Sequence, residues 1–364
     1  MALHPVKLPK SAQDLRRIVA MQKLLLKALC ADPLDASLIN ETWLRSVWSF
    51  QDEAWLKKFC RKRKYSILEP IAEIAKATLD ARRALYDEFC RQIRVKQFLE
   101  TGGQFRKLDT LTGVTSDLAK QVHSVFIRFY EFLSHEAKAG WNGYEFTDGH
   151  VVRNDSYKMA LDDANRPELA VCPYCDGSND DPDLDHYYAK EAYPFLSCSP
   201  WNLVPACSYC NKLSAKGREL ALTLGVAEPT AEWFHPFIRP ATNAVEIRLS
   251  GAPKNSIPQL YSPDPTEQQR LNNHTALIRT LGTRWTKVVK VSFDRLVRDT
   301  INAVKDTGDP IETIVRRRLR DHRLSRGRDA SSLIHAAVCQ AVLDQRPEYL
   351  EAFSTPNSAK LEML

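Results

Sequence analysis

The reading of this chain turns on the stretch from Cys172 to Gly217, CPYCDGSNDDPDLDHYYAKEAYPFLSCSPWNLVPACSYCNKLSAKG. It holds two Cys-x-x-Cys pairs, Cys172 with Cys175 and Cys207 with Cys210, with 31 residues between them. Each such turn presents two thiolates to one metal, and two turns complete the four-ligand tetrahedral shell of a structural zinc ion. Four unrelated buried thiols would have no reason to fall in this spacing. The chain has nine cysteines, an odd number that excludes complete disulfide pairing. Cys30, Cys60, Cys90 and Cys339 sit in helical patterns and read as small buried hydrophobes. Cys198 lies between the zinc pairs but has no Cys-x-x-Cys partner.

Within that frame stand residues suited to phosphodiester hydrolysis. Attack by water needs a base that works near neutral pH, a role that suits histidine. The charge that grows on the phosphate needs a hard cation, which takes oxygen ligands such as Asp and Asn. Asp185 and His186 are adjacent on a β-like run, and Asn202 precedes Leu203-Val204-Pro205. Asn211 directly follows Cys210 at the start of an expected helix. Neighbouring strand residues point to opposite faces, so a bend is expected if Asp185 and His186 are to address one phosphate.

These residues together resemble the HNH family, also called ββα-metal or His-Me finger nucleases. The family's pattern is Asp-His on a first strand, Asn on the following loop or strand, and Asn or His on a helix, often interleaved with two Cys-x-x-Cys zinc pairs. Here it falls on Asp185-His186, Asn202-Leu203 and Asn211, and the run from Asn202 through Cys207 to Lys216-Gly217 matches its ending. The likeness covers 46 of the 364 residues. It implies His186 as general base, Asp185 and Asn211 as ligands of a catalytic Mg²⁺ or Mn²⁺, and Asn202 as the residue that orients the loop and His186. It assigns Cys172, Cys175, Cys207 and Cys210 to structural Zn²⁺. The last family position is often His; Asn211 is an accepted alternative, and a neutral ligand should hold the cation weakly until substrate phosphate joins it. Lys190, Lys212 and Lys216 are candidate phosphate contacts, weighed evenly against a solvated surface role. His235, in a His-Pro-aromatic run, is as well explained by packing and is left outside the catalytic set.

Outward from the motif, the expected fold class is mainly α, with helical N- and C-terminal regions flanking a small ββα-metal zinc finger with short strands. The expected division is 1–138 helical, 139–250 nuclease and 251–364 helical. Ser11-x-x-Asp14 reads as a capping box before an apolar face from Leu15 to Leu29. A second helix is expected through Ile71, Thr78 and Leu85 toward Leu99, and a third after Ser116. Gly and Asn residues make 139–170 read as loops with a short hairpin. Val245 to Leu249 alternates like a strand within a Pro-rich stretch. A long helix carries Leu281, Trp285, Val288, Leu296 and Ile301, and a last one Leu333 to Leu343.

The net charge of +6 is mild, and its distribution says more than its sum. Basic clusters fall at Lys57 to Lys64 and at Arg316 to Arg328. Either suits a phosphate backbone, and either alone is ordinarily a solvated helix face. No apolar run reaches the ~18 residues of a membrane span, and no apolar core follows the N-terminus, so a cytoplasmic protein is expected. The resulting expectation is an HNH endonuclease acting on duplex DNA, with its helical flanks bound to a partner ATPase or sensor as in anti-phage effectors. The competing expectation is a non-catalytic zinc module that binds nucleic acid or a partner protein.

Overall fold

A computed structural model describes residues 3–8, 12–48, 53–62, 65–101, 103–133 and 170–354. Ser11 of the expected capping box, and nearly all of 139–170, fall outside the described residues. The first helix, α1 (Ala12–Leu29), buries Leu15, Ile18, Leu25, Leu26 and Leu29, the one-face spacing that its sequence implied. Helices α2 (Glu41–Trp48) and α3 (Glu53–Cys60) follow, then a two-residue hairpin of β1 (Arg61–Lys62) and β2 (Tyr65–Ser66). The single helix expected through Thr78 is instead three: α4 (Leu68–Lys76), α5 (Leu79–Gln92) and α6 (Val95–Thr101). Thr78 is a cap rather than an interior residue: its backbone is extended, and its hydroxyl accepts from the Ala81 N–H at 3.3 Å. Helix α7 (Ser116–Leu133) buries Leu118, Val122, Val125, Phe129 and Phe132 as expected. From the same helix the buried Arg128 guanidinium donates to the carbonyls of Lys58 and Phe59 in the last turn of α3 and of Arg61 in β1.

The centre of the molecule is an antiparallel hairpin of β3 (Pro182–His186) and β4 (Leu203–Cys207), followed by one helical turn, α8 (Ser208–Asn211). Pro182 pairs with Cys207 at one end and His186 with Leu203 at the other. Every residue of β4 is buried. Leu203 faces a core built from α1–α5 and α7, joined by Phe195 and Cys198. Val204 and Ala206 face a second core, which the cysteine pairs share with the C-terminal helices. Strand β4 is thus covered on both sides, which explains why it reads as a continuous apolar run.

The expected strand at Val245 to Leu249 is β5 (Glu246–Ser250), paired with β6 (Ile257–Tyr261). Helix α9 (Pro265–Leu277) starts on the Asp264 carboxylate, which accepts from the Glu267 N–H at 2.9 Å. Helix α10 (Leu281–Thr307) ends at Gly308, whose φ of 72° suits a left-handed C-cap. Its buried stripe runs Leu281, Trp285, Val289, Phe293, Leu296, Thr300; Val288 and Ile301 fall at the edge of that stripe. Helices α11 (Ile311–Leu324) and α12 (Ser332–Leu343) follow, and α13 (Pro347–Ser354) extends past the last expected helix. The described chain is mainly helical with small antiparallel sheets, and none of its helices is long and apolar enough to cross a membrane.

Candidate functional site

The four cysteines of the two turns converge. Their Sγ atoms all lie within 4.8 Å of one another, all four residues are buried, and none is in a disulfide. The Cys175 and Cys207 sulfurs are 3.8 Å apart. A tetrahedron with Zn–S bonds of ~2.3 Å has an edge of ~3.8 Å, so the set fits a four-thiolate metal such as zinc. The chain also offsets the charge such a set would carry. The Arg284 guanidinium, from α10, donates to Cys175 Sγ at 2.9 Å and to Cys207 Sγ at 3.2 Å. Burial works against the Arg284 charge, but the sulfurs of Cys175, Cys207 and Cys210 outweigh it and raise its pKa. Trp285 anchors the first turn by donating from Nε1 to the Cys175 carbonyl at 2.9 Å. Arg284 has no local signal in the sequence; only its partners reveal it.

Asp185 and His186 end β3, and both line one open pocket of about 360 Å³. Their contacts lie on different sides of the strand, as alternation requires. Asp185 is buried. Its Oδ2 accepts from the Tyr174 hydroxyl at 2.7 Å, and Lys216 Nζ stands 3.0 Å from Oδ1 and 2.9 Å from Oδ2. Lys216 also donates to the His186 carbonyl at 2.9 Å. His186 faces α7, where its ring meets Tyr130 edge-on with centroids 4.4 Å apart. His186 Nε2 lies 3.0 Å from the Ser197 carbonyl, which can only accept, so Nε2 carries the proton and Nδ1 keeps a lone pair. Burial, helped by the nearby Lys190 charge, pushes the imidazole pKa down from the usual range to about 4. The expected bend is not required, because the pocket sits at the end of the strand, where both residues reach its wall.

The other nominated residues separate by environment. Asn211, at the end of α8, is half-buried and lines the same pocket; its amide makes no hydrogen bond among the described residues. Asn202 is fully buried, and its side chain makes no hydrogen bond to His186. Its Oδ1 accepts from the Tyr188 N–H at 2.7 Å, and its Nδ2 donates to the carbonyls of Tyr188 and Leu196 at 3.0 and 3.1 Å. It clamps the loop that carries Ser197, and so it bears on His186 at one remove. Lys190 lines the pocket with its ammonium 5.2 Å from the Tyr130 ring, while Lys212 is exposed beside Tyr209. Lys216 corrects an expectation: it is 0% exposed and bound to Asp185, so it is spent inside the fold rather than offered to a phosphate. Arg218, which the sequence reading passed over, lines the open side of the pocket instead. His235 is fully buried against Tyr187, away from the pocket, with Nε2 unpartnered among the described residues. Tyr130 and Tyr174 were also missed, because each acts through a partner far away or two turns of chain removed.

Comparisons with protein-family models, with curated proteins and with solved structures find no match to this chain.

Proposed function

We propose that the protein is a metal-dependent endonuclease of the HNH kind that hydrolyses phosphodiester bonds in DNA. One observation carries the reading: Asp185, His186 and Asn211, from two segments, converge on one open pocket whose walls are tied to a four-cysteine cluster. His186 has the features of a general base. Its Nδ1 lone pair is available, its orientation is set by the Ser197 carbonyl, and it is neutral at pH 7. It takes a proton from the attacking water, and Lys190 and Arg218 on the rim meet the phosphate.

A divalent cation such as Mg²⁺ or Mn²⁺, held by Asp185 and Asn211, would supply a Lewis acid at the phosphate. The donors are of the right hard-oxygen type, and the free Asn211 amide is consistent with a ligand that waits for an ion. Asp185 already accepts from Lys216 and Tyr174, which leaves it about one lone-pair direction and makes the site weak before substrate phosphate completes it. The cysteine cluster, by contrast, suits a closed zinc site with no open position.

The test is plasmid nicking in Mg²⁺ or Mn²⁺, with His186→Ala as the variant. Cleavage should fall by roughly 10²–10⁴-fold, with zinc content and melting temperature retained. Undiminished cleavage by the variant overturns the proposal. Arms with single-stranded DNA and RNA separate the nucleic-acid classes, and DNA binding without cutting in any divalent metal would assign the pocket to a binding module.

A further inference from the structure

The arginine-rich run from Arg316 to Arg328 is divided by the fold. Arg316 meets Glu312 at 2.6 Å, Arg317 meets Asp309 at 3.4 Å, and Arg318 and Arg320 meet Asp299 and Asp321, each at 3.7 Å. These four are largely exposed ion pairs on a helix surface and need no ligand. Arg323, Arg326 and Arg328 instead line a separate cleft of about 1,110 Å³ between α11, α12 and β5. Arg248 and Arg346 close its other sides but are already paired, with Glu246 at 3.2 Å and Glu348 at 2.7 Å, which leaves Arg323, Arg326 and Arg328 facing it against one further carboxylate, Asp344. None of the residues nominated for the nuclease pocket lines this cleft.

Arg326 is the informative member. Its Nη1 donates to the Val245 carbonyl at 2.8 Å, yet its Nη2 is buried with no partner, and no carboxylate stands within ion-pair distance among the described residues. A buried guanidinium donor left unpaired costs several hydrogen-bond equivalents, and native structures keep such groups for a reason. Burial lowers its pKa while the more distant carboxylates of Asp176 and Glu267 act against that, and a guanidinium stays charged, so the cleft presents a fixed cation with no carboxylate in direct contact among the described residues. The floor differs in kind from the rim. Leu319, Leu333 and Ala337 are buried and apolar, and the small Ala336 beside them keeps the cleft open. A backbone-tracking groove has no use for an apolar floor, whereas a ligand that carries both phosphates and a flat heteroaromatic ring uses both surfaces.

We infer that this cleft is a second ligand site, one that binds a nucleotide with its phosphates on Arg323, Arg326 and Arg328 and its base on the Leu319–Leu333 floor. The site would let a small phosphorylated ligand report on α11 and α12, whose packing holds the same core as the cysteine cluster. The inference does not depend on nuclease chemistry, because binding can be read in protein that cannot cut.

The experiment is fluorescence anisotropy of a base-labelled ATP analogue on full-length His186→Ala protein, without added divalent metal. Unlabelled ATP, ADP, inorganic pyrophosphate and a short duplex DNA serve as competitors. Saturable binding is expected, displaced by ATP and ADP and weakened about ten- to a hundredfold by Arg326→Gln. Arg328→Glu, on an exposed residue, should weaken it without threatening the fold. Ala336→Phe, which fills the floor and leaves every arginine in the sequence, should weaken it comparably. Absence of saturable binding overturns the inference, as does binding that all three variants leave intact. Displacement by pyrophosphate as effective as by ATP shows that the base is not held, and overturns the nucleotide assignment. Displacement by duplex DNA but not by ATP reassigns the cleft to a phosphate backbone and equally overturns it.

Discussion

One hairpin carries two sites of opposite character. At the Pro182–Cys207 end the cysteines form a closed, buried cluster, stitched to α10 by Arg284 and Trp285. At the His186–Leu203 end the chain opens into a solvent-facing pocket, walled by α7 on one side and the Lys216–Gly217 turn on the other. Tyr174 joins them, since it lies within the first cysteine turn and donates to Asp185. The closed end holds groups whose partners are all internal. The open end holds one group, Asn211, whose amide has no partner among the described residues, and one imidazole nitrogen, His186 Nδ1, that likewise has none among them. A site that acts on an outside molecule must leave such valences open, and a site that only supports must not.

Breaking the closed end should have the largest effect. Cys210→Ser removes one of the four sulfurs that could hold a metal such as zinc, and structural zinc sites contribute on the order of 10 kcal/mol to folding. Loss of zinc by elemental analysis and of the cooperative melt by circular dichroism are the expected outcomes. A strong chelator should reproduce both. Next comes the buried pair that divides the two ends. Lys216→Met strands the Asp185 carboxylate and should destabilise the protein by about 3–5 kcal/mol in urea unfolding. A loss below about 1 kcal/mol would mean that Asp185 is better solvated than its burial implies.

A smaller, graded effect comes from His274, whose Nε2 donates to the Tyr174 carbonyl at 2.7 Å. Burial holds its pKa down, at about 3. The unfolded chain therefore binds a proton that the folded one refuses between about pH 6.5 and pH 3. Stability should fall as pH falls through that window, by at most about 1.4 kcal/mol per pH unit from this group. His274→Gln, which retains a donor, should flatten the slope in unfolding midpoints measured across pH. The smallest effect belongs to the exposed Lys212. Lys212→Ala should leave the melting temperature unchanged and reduce DNA affinity only slightly, with a salt dependence shallower by about one counterion.

Much of the architecture was legible in one dimension. The buried faces of α1 and α7 follow directly from apolar spacing, and β5 from alternation. Thr78 shows where that reading failed: periodicity passed straight through it, while its hydroxyl caps a new helix. The cysteine cluster was legible because its ligands come as local pairs, each pair fixed by one turn. The Asp185–His186–Asn211 set was legible as a motif, but its electrostatics was not. Lys216 reads as a surface lysine beside Gly217, and only burial against Asp185 shows it to be an internal counter-charge.

The sequence by itself determined the helical framework, the pairing of Cys172 and Cys175 with Cys207 and Cys210, and the residue types available for chemistry. These rest on short-range geometry, the period of a helix and the span of a turn, which residue order encodes directly. Only the tertiary structure decided which face of the hairpin meets which core and which nitrogen of His186 keeps its lone pair. It also decided that Arg284 serves the sulfurs and that the arginine run divides between surface pairs and a cleft. Those outcomes depend on which distant groups arrive within about 3 Å and exclude water, and a charge or hydrogen bond takes its value from that arrival rather than from its neighbours along the chain.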